Sequence, residues 1–329
     1  MDLKHTITDV PGIEVGQAQD EEALTGCTIV LCRKGAVGGV DVRGSAPGTR
    51  ETDLLDPVNM VEKVHAVVLA GGSAFGLDAA SGVMRYLDEN GIGFDTGAGK
   101  VPIVPAAILF DLNLGRGDVR PDAEMGYRAA AAASSNAPAE GNFGAGTGAS
   151  VGKIFGPKSA MKSGVGAASM NVGGLVIGAL MAVNAFGDVI DPQTGQIIAG
   201  ARSTNPGSLK LGQDGYFGDT LEIMKTFKGR TVLSFATQAN TVIGVVATNA
   251  KLTKSEATKV AQMAQDGIAR AIRPAHTMLD GDTIFTLGTG EKKSDPSTVG
   301  AFAAEMVAQA ILRAVQEAAP AGGLPGLKE

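Results

Sequence analysis

Runs of β-branched and apolar residues recur along the chain and predict strands at 28–32, 65–70, 173–183, 231–236, 241–248 and 283–287. Between some of these runs the spacing becomes helical. Val260, Met263, Ala264, Gly267, Ile268, Ala271 and Ile272 repeat at helical intervals, which predicts a helix over 254–272. Thr253 and Glu256 supply a capping box at its start. A second long helix is predicted over 299–318, and shorter ones after Gly76 and over 123–133. The fold class is therefore mixed α and β. The stretch 134–152, SSNAPAEGNFGAGTGASVG, is too rich in Gly, Ala, Ser and Asn for a regular element, and reads as a functional loop or a linker. Strand-like runs lie on both sides and no charge or proline block marks a boundary, so residues 1–329 are expected to form one domain.

Composition narrows the function classes. With 44% hydrophobic residues the chain can bury a large core, and its 47 glycines follow no collagen-like or linker-like period. A net charge of -6 without a clustered Lys/Arg tract disfavours a nucleic-acid surface and leaves a small molecule as the expected partner. The N-terminus MDLKHTITDV is too polar for a secretory signal. The apolar stretch 172–187 is interrupted by glycines and Asn184 and is shorter than the roughly 18 residues of a membrane helix, so a buried core segment is expected. Cys27 and Cys32 lie an odd number of residues apart on an extended run, so they should face opposite sides and form no disulfide. A reducing cytoplasm fits.

Most short motifs fail on their own terms. Gly71-Gly72-Ser73-Ala74-Phe75-Gly76 sits where a serine-hydrolase elbow would, but Phe75 occupies an obligatory glycine position; a tight turn remains, whose helix start could hold an anion. Residues 147–153 match a phosphate loop only at Gly152-Lys153, and Gly144, Gly146 and Ala149 follow a loop where a dinucleotide fingerprint needs a strand. His5, His65 and His276 are too few and too separated for a metal cluster, so neither metal nor cofactor is expected. His65 lies in an apolar run and reads as a core residue. Asp280-Gly281-Asp282 would point two carboxylates to one side of an extended chain, although Asp-Gly is also a common turn; both readings stand.

Taken in order, several segments resemble one known family. They are Val40-Asp41-Val42-Arg43-Gly44, Pro47-Gly48-Thr49-Arg50-Glu51-Thr52, Gly71 to Leu77, Val101 to Leu112, Gly144 to Lys153, Asn184, Asn240-Thr241, Val245 to Asn249 and Asp280-Gly281-Asp282-Thr283. The family is that of L-aminopeptidase/D-esterase amidases, β-aminopeptidases and the endo-type nylon-oligomer hydrolase. The resemblance implies a four-layer αββα sandwich and a precursor that cuts itself between Asn240 and Thr241 into fragments 1–240 and 241–329. It further implies tetramers of αβ units, with Thr241 as nucleophile oriented by Asp280 and Asp282, and with Lys153 and Asn184 completing a polar pocket.

The chemistry of the residues agrees with what the resemblance implies. A threonine hydroxyl needs a base, and a free α-amino group has a reference pKa of roughly 7.7–8.0. Cleavage before Thr241 would put base and nucleophile on one residue. A lysine close to that amine favours its neutral form, and an asparagine donor suits an oxyanion. Thr241 with the aspartate pair leans toward the nylon-hydrolase branch, whereas 40–52 is closer to the aminopeptidase side. Relatives often carry Tyr where this chain has Phe110. The expected activity is hydrolysis of a linear amide or peptide. An acyltransferase using the same processed threonine and an uncut, non-catalytic binding protein are the alternatives.

Overall fold

The computed structural model describes residues 5–203, 216–226 and 240–329. Its central feature is a mixed sheet of nine strands: β1 (Glu14–Asp20), β2 (Thr25–Val42), β3 (Thr49–Arg50), β4 (Lys63–Ala70), β5 (Ala106–Ile108), β6 (Val165–Val172), β7 (Leu175–Asn184), β8 (Thr241–Ala250) and β9 (Thr283–Lys292). Their order is β6-β7-β8-β9-β2-β4-β5-β3, with β1 added alongside β2. Two parallel pairings, β8 with β9 and β4 with β5, interrupt an otherwise antiparallel arrangement. Each requires a crossover. Helix α3 (Lys254–Ala271) connects β8 to β9, and α1 (Ala79–Glu89) lies between β4 and β5. Helices α2 (Ala123–Ala131) and α4 (Pro296–Gln316) pack beside α1 and α3 respectively.

The long strand β2 explains how one sheet becomes two layers. Its residues 27–31 pair with β4, its residues 37–42 pair with β9, and the register shifts between Leu31 and Ala36, where Gly35 takes a φ of 74°. Such an irregularity bends a strand. The sheet thus folds over on itself around an inner core containing Val30, Val67, Leu69, Ile243, Val245, Phe285 and Leu287. One outer face packs Ile29, Ala66 and Val68 against α1 and α2, and the other packs Ile177, Val242 and Val246 against α3 and α4. The layers run helix, sheet, sheet, helix, the αββα sandwich expected. Burial on both faces is why β7 and β8 read as nearly unbroken apolar runs.

The sequence-predicted elements appear with shifted ends: the last helix starts at Pro296, where Asp295 caps it, and α3 starts at the capping box of Thr253 and Glu256. The predicted strand 231–236 lies outside the described residues. The stretch 134–152 is no linker; Ala145, Ala149 and Val151 are buried, and a 3-10 turn forms at Gly144–Gly146. Cys27 and Cys32 are free and lie in different core clusters, on opposite faces of β2. Helix α4 is long and apolar enough to cross a membrane by length and composition, but it is a core helix here, packed on α3, β6 and β7.

Phe285 is fully buried at the centre of the inner core. Phe285→Ala is expected to destabilise the chain by about 3–5 kcal/mol in chemical denaturation, the usual cost of removing a buried aromatic ring.

Candidate active site

The parallel pairing places the starts of β8 and β9 side by side, and the antiparallel neighbours β7 and β2 bring their ends to the same edge. Asn184, the last residue of β7, is the register partner of Thr241, the first of β8. Asn240 bridges Asp280 in parallel fashion, with its N–H donating to the Leu279 carbonyl at 2.8 Å. The Asn240 carbonyl accepts from the Gly281 N–H at 2.8 Å and from the Thr241 hydroxyl at 2.5 Å. The peptide bond between Asn240 and Thr241 therefore has its carbonyl polarised by a fixed donor and its following hydroxyl alongside. Thr241 is 1% exposed, so bulk water is kept from both groups.

Glycines make this approach feasible. A Cβ on Gly281 would sit 2.6 Å from the Ala46 carbonyl and 3.0 Å from the Thr241 Oγ1, and one on Gly44 would overlap the backbone of Asp280 and Asp282. The end of β2 is stitched to this segment through Arg43 N–H to the Asp282 carbonyl and Ala46 N–H to the Asp280 carbonyl, both at 2.9 Å.

A turn closes at Asp280, whose N–H donates to the Thr277 carbonyl, and the carboxylates of Asp280 and Asp282 lie close enough to interact electrostatically. Asp280 accepts from the backbone and hydroxyl of Thr277 at 2.8 and 2.6 Å. Asp282 accepts from the Val242 N–H at 2.8 Å and so holds the peptide that follows Thr241. Burial, and next the nearby Asp282, push Asp280 up to about 6 despite the Thr277 bonds and Lys153.

Lys153 donates to the Asn184 side-chain oxygen at 2.7 Å and to its carbonyl at 3.0 Å. Burial pulls its ammonium down to about 7, against the opposing pull of Asp280 and Asp111. The Asn184 amide nitrogen donates to the Phe110 carbonyl at 2.9 Å. This donor is engaged there, and the donor on the Asn240 carbonyl is Gly281. Sequence reasoning expected the Asn184 side chain in a polar pocket as a donor suited to an oxyanion and did not identify the glycine, whose backbone N–H carries no signature.

A small cleft adjoins Asn240 and is lined by Lys153, Asp111, Phe110 and Leu114 among others. Asp111, also unforeseen, accepts from the Gly72 N–H at 2.7 Å and from the Thr25 hydroxyl at 2.8 Å. The anion held at the turn after β4 is thus the protein's own carboxylate. Lys162 is a further buried charge, donating to the carbonyls of Gly146 and Ala149 inside the glycine-rich loop and to that of Ser163 beyond it. Among the described residues no group of His, Cys, Asp and Glu could hold a metal ion. His65 is a core residue as expected, accepting from the Ile103 N–H and held below its usual range by burial.

Residues 5–328 match the sequence profile of peptidase family S58. The chain belongs to peptidase family S58. This S58 peptidase is an amide or peptide hydrolase. It is 42% identical to a protein of Mycobacterium bovis named an uncharacterized aminopeptidase, over 99% of this chain and 97% of that one. It is 30% identical to the 6-aminohexanoate-oligomer endohydrolase of a Kocuria strain, over 94% of this chain and 85% of that protein. Its fold is that of a Burkholderia β-aminopeptidase, with a TM-score of 0.67 at 22% identity, covering 98% of this chain and 91% of the other. It is also that of the L-aminopeptidase D-Ala-esterase/amidase of Ochrobactrum anthropi, described as a variant of the Ntn hydrolase fold, with a TM-score of 0.67 at 18% identity, covering 95% of this chain and 86% of the other.

The S58 chain also places His276 in this region. Its ring Nδ1 lies 2.8 Å from Asp282 Oδ2, and its backbone N–H donates to the same oxygen at 3.1 Å. The ring, backbone and Val242 contacts together fix both oxygens of Asp282.

The depressed Lys153 sets a sign for stability against pH. Between about pH 7 and the reference value of 10.5, the unfolded chain holds a proton on Lys153 that the folded chain has released, so stability rises with pH across that window. In a Thr241→Ala background, the stability of the Lys153 chain relative to the Lys153→Met chain should rise from pH 7 to 10.5 and so change the gap between them, as read from denaturation midpoints. A gap that stays constant would mean that Lys153 keeps its proton in the fold.

Proposed function

We propose that this chain is a self-processing amide hydrolase that cuts between Asn240 and Thr241 and then uses Thr241 as an N-terminal nucleophile on linear amides or peptides. The observation carrying this reading is the Thr241 hydroxyl 2.5 Å from the Asn240 carbonyl oxygen, with Gly281 N–H on that same oxygen at 2.8 Å. In the first reaction the hydroxyl oxygen bonds to the Asn240 carbonyl carbon and the peptide C–N bond breaks. The hydroxyl proton ends on the Thr241 nitrogen. The Gly281 N–H stabilises the negative charge that develops on the carbonyl oxygen. Water then hydrolyses the ester, releasing the Asn240 carboxylate and leaving Thr241 with a free amine.

That amine supplies the base missing from the uncut chain. It takes the hydroxyl proton as the oxygen attacks a substrate amide; the substrate amine departs with a proton, and water hydrolyses the acyl-threonine ester. Asp282 holds Thr241 through the Val242 N–H, and Asn184 anchors Lys153 beside the cleft. At and below about pH 7, where Lys153 carries its proton, its ammonium lowers the affinity of the new amine for a proton by like-charge repulsion. Asp280 is within electrostatic reach of Lys153 and Asp282 and balances that charge. The aminopeptidase and 6-aminohexanoate-oligomer names of the relatives support an aminoacyl or ω-aminoacyl amide as the substrate class.

Intact mass and N-terminal sequencing test the proposal directly. Wild type should yield fragments 1–240 and 241–329, the smaller beginning Thr-Val-Ile-Gly, whereas Thr241→Ala should remain one chain of 33.2 kDa without amidase activity. Thr241→Ser keeps the hydroxyl and should still be cut. Wild type that stays whole yet hydrolyses amides would overturn this mechanism.

A further inference from the structure

One wall of the cleft beside Asn240 comes from the far end of the chain. Beyond α4 the backbone turns at Ala321–Leu324, with Gly322 and Gly323 at positive φ, and this turn brings the buried Leu324 into the same cleft as Asn240, Leu114 and Lys153. The turn is closed by paired backbone hydrogen bonds between Ala321 and Leu324 at 3.1 and 3.0 Å. A Cβ on Gly322 would overlap the Leu114 side chain, so the turn lies directly on that wall.

The segment is anchored at several points. Asn142 Nδ2 donates to the Ala319 carbonyl at 2.8 Å, and Lys328 N–H to the Ala318 carbonyl at 3.0 Å. The Lys162 backbone N–H donates to the Pro325 carbonyl at 2.8 Å, while the Lys162 side chain holds the carbonyls of Gly146, Ala149 and Ser163. One residue therefore fastens the C-terminal turn and the glycine-rich loop that leads to Lys153. Leu324 is a fixed wall.

Asn240 is the acyl group of the self-cleavage, and its backbone is clasped through the Leu279 carbonyl and the Gly281 N–H. A substrate acyl group joined to the same Thr241 oxygen must fill the same neighbourhood. We infer that Leu324 is a specificity-determining residue, setting the size of the acyl group that the cleft accepts. This rests on Thr241 being the nucleophile.

The test compares processed wild type, Leu324→Ala, Leu324→Met and Leu324→Phe on p-nitroanilides of aminoacyl and ω-aminoacyl groups graded in size, reading kcat/KM for each. Differences of a methylene in such a pocket change rates by about tenfold or more. Leu324→Ala should raise the bulky-to-small ratio about tenfold, and Leu324→Phe should lower it comparably. Unchanged ratios in both variants, with normal cleavage at Thr241, would overturn the role of Leu324 and leave the nucleophile intact. A wild-type chain that is uncut and inactive on every substrate would overturn the Thr241 reading itself, and this inference with it. Should Leu324→Ala fail to fold, Leu324→Met and Leu324→Phe decide on the same ratio.

Discussion

Two backbone hydrogen bonds, Asn240 N–H to the Leu279 carbonyl and Gly281 N–H to the Asn240 carbonyl, hold the centre of this protein. They exist because β8 and β9 run parallel, and a parallel pair joined by one helix must start at the same edge of its sheet. The geometry leaves no room for side chains at Gly44 or Gly281, so the close approach depends on glycine. A peptide clasped in this way cannot rotate its carbonyl away from either Gly281 or the Thr241 hydroxyl.

Around this clasp the protein buries an unusual set of charges. Lys153 and Lys162 are both drawn down to about 7 by burial, while Asp111 and Asp280 are pushed up for the same reason. Their mutual attraction offsets part of the desolvation cost, and hydrogen bonds supply more: three carbonyls for Lys162, Gly72 and Thr25 for Asp111, Thr277 for Asp280. Such an arrangement is costly for stability alone. It suits a site where protons must move at near-neutral pH, because small changes in charge alter which groups carry them.

The sheet that folds over on itself also explains why so many chain segments reach one edge. Asn184 closes β7, Gly44 follows β2, Phe110 and Asp111 follow β5, and Thr241 and Thr283 open β8 and β9. Each is a strand end, where side chains are released from the regular packing of the two faces and can turn toward one another.

The alternation of apolar positions determined the strands and helices, and the capping box of Thr253 and Glu256 set where α3 begins, because these signals are local and recur within a few residues. The resemblance of ordered segments pointed to Thr241, Asp280, Asp282, Lys153 and Asn184, which the fold brings to one edge. Only the tertiary structure decided that the Asn184 amide nitrogen rests on Phe110, 74 residues away, and that Gly281 supplies the donor to the Asn240 carbonyl. Only it placed His276 on Asp282 and Leu324 in the cleft. Periodicity reports which face of an element is buried; it carries nothing about strand register or the path of a terminal segment, and those fix which distant groups meet.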